Sequence, residues 1–207
     1  QKLLYGLASQ AAVFLVNARL EREVRSMFLN IIVSMAGAVD AKDAYTHGHS
    51  MRVARTSLIV AQAYGLAREE LEPLLLSAIL HDVGKIAVPD HILKKPGRLD
   101  RAEFEIMKAH PVAGAKMLQH IPALANVIPG ILHHHEAWNG SGYPHGLPAE
   151  TIPLQGRIIH IGDAFDAMTT DRIYRKKLGV NEAIAKIRDR AGEQFDPKFL
   201  AISPNNK

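Results

Sequence analysis

Apolar residues recur at helical spacing along most of the chain, and Gly and Pro mark the breaks. Residues 1–39 contain no Pro, which predicts one long helix or two in tandem. Further segments with the same spacing predict helices over 49–64, 68–81, 101–109, 110–121, 124–135, 154–175 and 181–191. Only 156–162 could be mistaken for a strand, and its neighbours continue the helical pattern. The chain is therefore predicted to be all-α, with about 6–8 helices after a long N-terminal connecting helix.

Cap and turn residues support several of these boundaries. Asp100 can cap the helix that follows it, and Glu103 stands at the capping-box position. Pro111 stands in the first turn of its helix, where Pro is favoured. Residues 138–153 are rich in Gly and Pro, which predicts a loop.

Composition narrows the class of protein. The 207 residues are 47% apolar and 22% charged, which is typical of a globular domain with a real core. The net charge of +4 is scattered, so the sequence predicts no DNA partner, although a small phosphate-bearing substrate would suit it. There is no Cys, which excludes disulfides and thiolate metal sites and fits a cytoplasmic protein. No apolar run reaches the length of a membrane helix, so none is predicted.

Histidine is the unusual component, because eleven are present and several are adjacent or nearly so. His81, Asp82 and Lys85 follow an apolar helix within little more than one turn. A lone His–Asp pair of this kind is more often a structural ion pair than a site. It is not alone, because further His and Asp residues stand at the ends of apolar helices: His49, His110, His134, His135 and Asp163.

Helical folds build metal sites from side chains on facing helices. Five imidazoles and two carboxylates are too many for one open site, but two ions that share Asp82 would use them well. Paired ions can activate water and stabilise in-line displacement at phosphorus. The ligand types suit iron, manganese, zinc, cobalt or nickel, and their spacing does not choose among these.

Two further segments could contact a substrate. Tyr143 lies in a glycine-rich loop directly after the adjacent histidines and could stack on a base or donate to a phosphate, although such loops are often plain surface. Arg172 and Arg175 are predicted on one face of the helix that carries Asp163 and could bind phosphate, although exposed Arg usually forms a solvated face. Asp166 could support a ligand or contact the substrate.

The ordered motifs HDVGK, HP, HHHEAWNGSGYPHGL, IGDAFDAMTTDRIYR and GEQFDP resemble the HD-GYP domain, a branch of the HD phosphohydrolases. The resemblance covers about three quarters of the chain, from Val39 to Phe199. It implies an HD-domain helical bundle that hydrolyses the bacterial second messenger cyclic di-GMP to the linear dinucleotide or to GMP.

The resemblance also implies a role for each matching residue. One ion would be held by His49, His81, Asp82 and Asp163. Asp82 would bridge to a second ion held by His110, His134 and His135. Lys85 would reach the phosphate or water at the metals, and the signature loop would be Gly142, Tyr143 and Pro144. Arg172 and Arg175 would contact the substrate's phosphates. His133 has no counterpart in the motif.

One departure from the family pattern bears on the number of metals. Some members carry a Glu four residues before the first ligand His and use it for a third ion. Here that position is Tyr45, and a phenol with a pKa of about 10 is a poor replacement for a carboxylate. We therefore expect two divalent ions per chain, with iron or manganese favoured by the resemblance.

Residues 1–26 resemble the last helix of a GAF sensory domain as it enters a linker. This divides the chain into a connecting segment at 1–38 and a catalytic domain at 39–207. It implies an upstream sensory domain and a parallel homodimer formed through the N-terminal helix. The alternative is a plain N-terminal helix.

Two alternative functions compete with hydrolysis of cyclic di-GMP. The same metals could serve a phosphohydrolase of another cyclic dinucleotide or of a nucleotide, but the intact glycine-rich loop favours cyclic di-GMP. A non-catalytic module that only binds cyclic di-GMP would be expected to have lost metal ligands. All seven predicted ligands are present, which disfavours that module.

Overall fold

The computed structural model describes residues 2–43, 48–171 and 176–200, and these contain helices but no strand. The α-helices are α1 (Lys2–Lys42), α2 (His49–Tyr64), α3 (Arg68–Leu80), α4 (Asp90–Leu93), α5 (Arg101–Met107), α6 (His110–Leu118), α7 (Ile128–His133), α8 (Leu154–Thr169), α9 (Val180–Asp189) and α10 (Pro197–Leu200). Short 3-10 helices lie at Val83–Ala87, Pro122–Leu124 and Ala149–Thr151. The predicted all-α class is confirmed.

Most predicted helices are present, and the differences have local causes. The helix predicted over 124–135 is shortened to α7, because Leu124 belongs to the 3-10 helix that begins at Pro122, and Pro129 lies in the first turn of a new helix. The helix predicted over 154–175 ends at Thr169, and Thr170 is extended. Two adjacent β-branched residues disfavour continuation of a helix at this point.

Contacts divide the chain into two compact units, Gln1–Ser34 and Met35–Lys207. The first unit is helical and lies within α1. Large apolar side chains along it are exposed, among them Leu4 at 70% and Phe14 at 72%. The sequence predicts no membrane helix, but α1 is long and apolar enough to cross a membrane. The same length and composition also fit a core helix or a signal sequence.

The core of the second unit lies where α2, α3 and α8 pack together. Val53, Leu74 and Ile158 contribute side chains that are completely buried there. The 3-10 helix Val83–Ala87 packs against α6, and α6 packs against α7. These contacts bring the end of α3 close to the start of α6 and the end of α7.

The capping box predicted at α5 is confirmed. The Asp100 carboxylate accepts from the backbone N–H of Glu103 at 2.9 Å, and the Glu103 carboxylate accepts from the backbone N–H of Asp100 at 2.8 Å. The exchange satisfies two N–H groups at the helix start that have no partner within the helix.

Candidate metal centre

The predicted metal ligands come from separate elements that converge in the second unit. They are His49 at the start of α2, His81 and Asp82 after α3, His110 at the start of α6, His134 and His135 after α7, and Asp163 within α8. Each side chain offers a nitrogen or oxygen that can bind a metal, and these atoms form two groups. The first group is His49, His81 and Asp163, and the second is Asp82, His110, His134 and His135. Within each group all ligand atoms lie within 4.8 Å of one another.

The histidines are oriented so that one ring nitrogen faces the centre. Nδ1 of His81, His110 and His134 lies 2.7–2.8 Å from the backbone carbonyl three residues earlier. Each Nδ1–H can therefore donate to that carbonyl, which leaves the lone pair of Nε2 free to bind a metal. Metal-binding histidines almost always hold their second nitrogen in this way.

The Nε2 atoms of these histidines lie close together in pairs. Nε2 of His49 lies 3.3 Å from Nε2 of His81, and Nε2 of His110 lies 3.3 Å from Nε2 of His134. Two lone pairs this close repel unless a proton or a cation lies between them. The geometry therefore fits a cation at each pair.

Asp82 lies between the two groups. Its Oδ2 is 3.4 Å from Nε2 of His81 and 3.6 Å from Nε2 of His49, whereas its Oδ1 is 3.2 Å from Nε2 of His110. Burial would raise the pKa of Asp82, but Lys85 and His81 hold it well below its usual value. An ionised carboxylate with one oxygen toward each group is the arrangement that a bridging ligand requires.

The electrostatics of the centre also favour cations. Burial opposes the charged form of His81, but Asp82 and Asp163 outweigh burial and raise its pKa to about 9. Burial, reinforced by neighbouring imidazoles, lowers the pKa of His134 and of His135 well below the usual value. Neutral imidazole is the form that binds a metal, and a cation could replace the proton favoured on His81. The residues therefore fit divalent ions.

Lys85 is held beside the proposed bridge by two carboxylates. Its Nζ lies 2.7 Å from Oδ2 of Asp82 and 3.2 Å from Oδ2 of Asp43. Burial alone would lower the pKa of Lys85, but the two carboxylates outweigh it and raise the pKa. Lys85 is thus a fixed positive charge next to the centre.

The end of α1 also supports Lys85, which sequence reasoning missed. Nζ of Lys42 donates to the carbonyl oxygens of Ile86 at 2.9 Å and Val88 at 2.8 Å, so it holds the 3-10 helix that carries Lys85. Asp43 pairs with Lys85 across 42 positions of the chain. The hydrophobic pattern of a sequence does not predict contacts between residues so far apart in the chain.

Asp166 supports a predicted ligand. Its carboxylate is buried, and its Oδ2 accepts from Nδ1 of His49 at 2.7 Å, while its Oδ1 accepts from Nε of Arg52 at 2.6 Å. Burial would raise the pKa of Asp166, but these two bonds lower it to about 2. Of the two roles predicted for Asp166, these contacts favour support of His49 over contact with the substrate.

The glycine-rich loop packs directly against the centre. A Cβ at Gly142 would lie 2.2 Å from the backbone nitrogen of Ala137, so only glycine fits. The Tyr143 ring lies 4.7 Å from the His135 ring at an angle of 30°, and burial raises the pKa of its hydroxyl. Pro144 follows Tyr143 through a cis peptide bond. The loop thus packs the Tyr143 ring against the predicted ligand His135.

A cavity of about 340 Å³ opens beside the centre. Its polar and aromatic lining includes Asp43, His49, Asp82, Lys85, His110, His135, Tyr143 and Asp163. The predicted contacts from Arg172 and Arg175, and the substitution of Tyr45 for a carboxylate, lie outside the described residues.

Comparison with known proteins identifies the family of this chain. A family model described as HD domain matches residues 33–199. The chain is 36% identical to the cyclic di-GMP phosphodiesterase response regulator RpfG of Xanthomonas campestris, over 86% of this chain and 48% of that protein. It is also 36% identical to 3'3'-cGAMP-specific phosphodiesterase 2 of Vibrio cholerae, over 90% of this chain and 36% of that protein.

A solved structure shows the same fold. A cyclic GMP-AMP specific phosphodiesterase of V. cholerae superposes with a TM-score of 0.65 at 21% identity, over 83% of this chain and 46% of that one. The chain thus spans less than half the length of each of these three proteins.

Proposed function

Because the chain belongs to the HD domain family, we propose that it is a metal-dependent phosphodiesterase that hydrolyses cyclic di-GMP to the linear dinucleotide or to GMP. The observation that carries this proposal is the pair of ligand groups with Asp82 between them. Ions held by these two groups would suit in-line displacement at a phosphodiester.

We assign one ion to His49, His81 and Asp163 and the other to His110, His134 and His135, with Asp82 shared between them. When bound, such ions polarise phosphoryl oxygens and lower the pKa of water. Iron or manganese is proposed, since imidazole and carboxylate ligands suit both. Asp166 and the backbone carbonyls behind the histidines keep the ligand nitrogens aimed at the centre.

Lys85 would stabilise the negative charge that develops on the phosphoryl oxygens. It is a cation that lines the cavity, and the two carboxylates beside it keep it protonated. A charge that is already in place needs no reorganisation during the reaction. Tyr143, with Gly142 and Pro144 behind it, would form the wall against which the substrate packs.

The choice of cyclic di-GMP over another cyclic dinucleotide is testable directly, because relatives of both specificities are similar to this chain. Turnover of cyclic di-GMP, 3'3'-cGAMP and GTP should be compared with protein purified without air. We expect the highest kcat/KM with cyclic di-GMP. A higher kcat/KM with 3'3'-cGAMP or GTP would favour the alternative substrate, and absence of hydrolysis of all three would favour a binding module.

Asp43→Asn is expected to lower kcat by about 10-fold to 100-fold, the range typical of residues that orient a metal site from outside. Lys85 would lose one of its two carboxylate partners and with it a fixed position. KM and the melting temperature should change little, which separates positioning from general destabilisation. Asp189→Asn, at an exposed position of α9, is the matched control. An unchanged kcat in Asp43→Asn would show that this contact has no positioning role.

We also propose that α1 connects to an upstream sensory domain and pairs with α1 of a second copy, and that the enzyme is cytoplasmic. The exposed apolar side chains of α1 support the pairing, since burying them between two helices is favourable. Protein lacking residues 1–34 should sediment as a monomer and the full chain as a dimer. Equal sedimentation behaviour would count against pairing through this helix.

A further inference from the structure

A third cluster of metal-binding side chains lies outside the proposed two-ion centre. It consists of His133 at the end of α7, Glu136 just after it, and His145 in the following loop. Each offers one ligand atom, and the three atoms lie within 4.8 Å of one another. None of the three is among the residues assigned to the centre.

A buried ring nitrogen of His133 is the first observation that points to a ligand at this cluster. Its Nδ1 is buried and has no hydrogen-bond partner among the described residues. A buried polar atom without a partner costs free energy, so such atoms usually have a ligand. The nearest acidic atom is Oε1 of Glu136 at 3.6 Å, which is too long for a hydrogen bond. Two ligands of a tetrahedral zinc ion are separated by roughly 3.3 Å, so the observed distance is close to what a shared ion needs.

Glu136 is a pre-oriented ligand. Its side chain is completely buried, and its two oxygens accept from the backbone N–H groups of His145 at 2.8 Å and Leu147 at 3.0 Å. A carboxylate has about four acceptor positions, so each oxygen keeps one for another partner. The two backbone bonds fix the direction in which the remaining lone pairs point.

His145 completes the cluster from the solvent side. Its ring lies 5.2 Å from the His133 ring, and the residue is exposed. An exposed imidazole can adjust by a rotamer change, and solvent can supply a fourth ligand. Three protein ligands with one open position is a common coordination pattern for zinc.

We propose that His133, Glu136 and His145 bind a zinc ion, separate from the two ions of the centre. Two imidazoles and one carboxylate are a ligand set that zinc accepts. The bound ion would tie the end of α7 to the far side of the loop that carries Tyr143. It would thereby hold the tyrosine against His135. The proposal does not depend on the substrate or on hydrolysis.

The test compares zinc binding by four proteins with the metal centre loaded: the natural chain, His133→Gln, His145→Gln and His120→Gln. His120 is exposed and outside the cluster, so it controls for the loss of a surface imidazole. After equilibrium dialysis against zinc chloride, zinc is counted per chain. Exchange of zinc into the two-ion centre would affect all four proteins alike, so the differences report on the third cluster.

The natural chain and His120→Gln are expected to bind one zinc ion more per chain than the other two variants. Adding zinc should also raise the melting temperature of the natural chain and of His120→Gln more than that of His145→Gln, because a ligand that binds the folded state stabilises it. Equal zinc counts in all four proteins would overturn the proposal. His145 is exposed, so His145→Gln decides the outcome even if His133→Gln does not fold.

Discussion

Asp82→Asn is expected to lower kcat for cyclic di-GMP by at least about 10³-fold. The amide keeps the shape of the side chain but has one oxygen and no charge, so it cannot serve both ligand groups. The ions of such a centre supply several kcal/mol of transition-state stabilisation, and each 1.4 kcal/mol or so corresponds to a tenfold change in rate. The measurement is steady-state hydrolysis at saturating substrate with protein purified without air.

The control for this substitution is Asp189→Asn, which removes an exposed carboxylate of α9. It should hydrolyse at the rate of the natural protein. Circular dichroism should show that Asp82→Asn keeps its helical content, since the lost activity is attributed to the centre and not to unfolding. Hydrolysis by Asp82→Asn within tenfold of the natural rate would mean that Asp82 is not the shared ligand.

Gly84→Ala is expected to destabilise the fold by about 3 kcal/mol or more, because the added methyl group has no space. A Cβ at this position would lie 1.9 Å from the carbonyl oxygen of His110 and 2.5 Å from the backbone nitrogen of Gly114. Both are backbone atoms of α6, so the 3-10 helix and α6 would have to separate. That shift would move Asp82 and Lys85 away from His110, and hydrolysis should fall with stability.

Gly37→Ala is the matched control. Apart from its chain neighbours and the backbone of its own helix, no atom of the described residues lies within 4 Å of the position that its Cβ would occupy. Because α1 is helical there, stability should be unchanged or slightly higher. Urea unfolding measures the free energy of both variants. Equal stability of Gly84→Ala and the natural protein would contradict the close packing of these two elements.

The sequence indicated the seven candidate ligands because residue types that suit a metal stand at or near the ends of apolar helices. His81 and Asp82 directly follow an apolar helix, and His110 precedes the Pro in the first turn of another helix. Residues of this kind at several helix ends suggest a shared site even when their distances are unknown. Periodicity also predicted α2 without error, because its apolar positions are regular and Gly residues flank it.

The supporting residues could not be predicted in the same way. Asp43 contacts Lys85, and Asp166 contacts Arg52 as well as His49, across 42 and more than a hundred positions of the chain. Such pairs depend on how the helices pack, which no local pattern encodes. The role of Glu136 could not be predicted either, since its sequence context gives no sign that it binds the backbone of the glycine-rich loop.

Metal analysis of the full chain, purified without air and without added zinc, tests the central claim most directly. We expect two ions of iron or manganese per chain in the natural protein, and a loss of ions in Asp82→Asn, because its ligand would be missing from both groups. Two ions retained in Asp82→Asn would contradict the shared ligand. Three ions of iron or manganese per chain in the natural protein, or none, would contradict a two-ion centre, whereas zinc at the third cluster is counted separately.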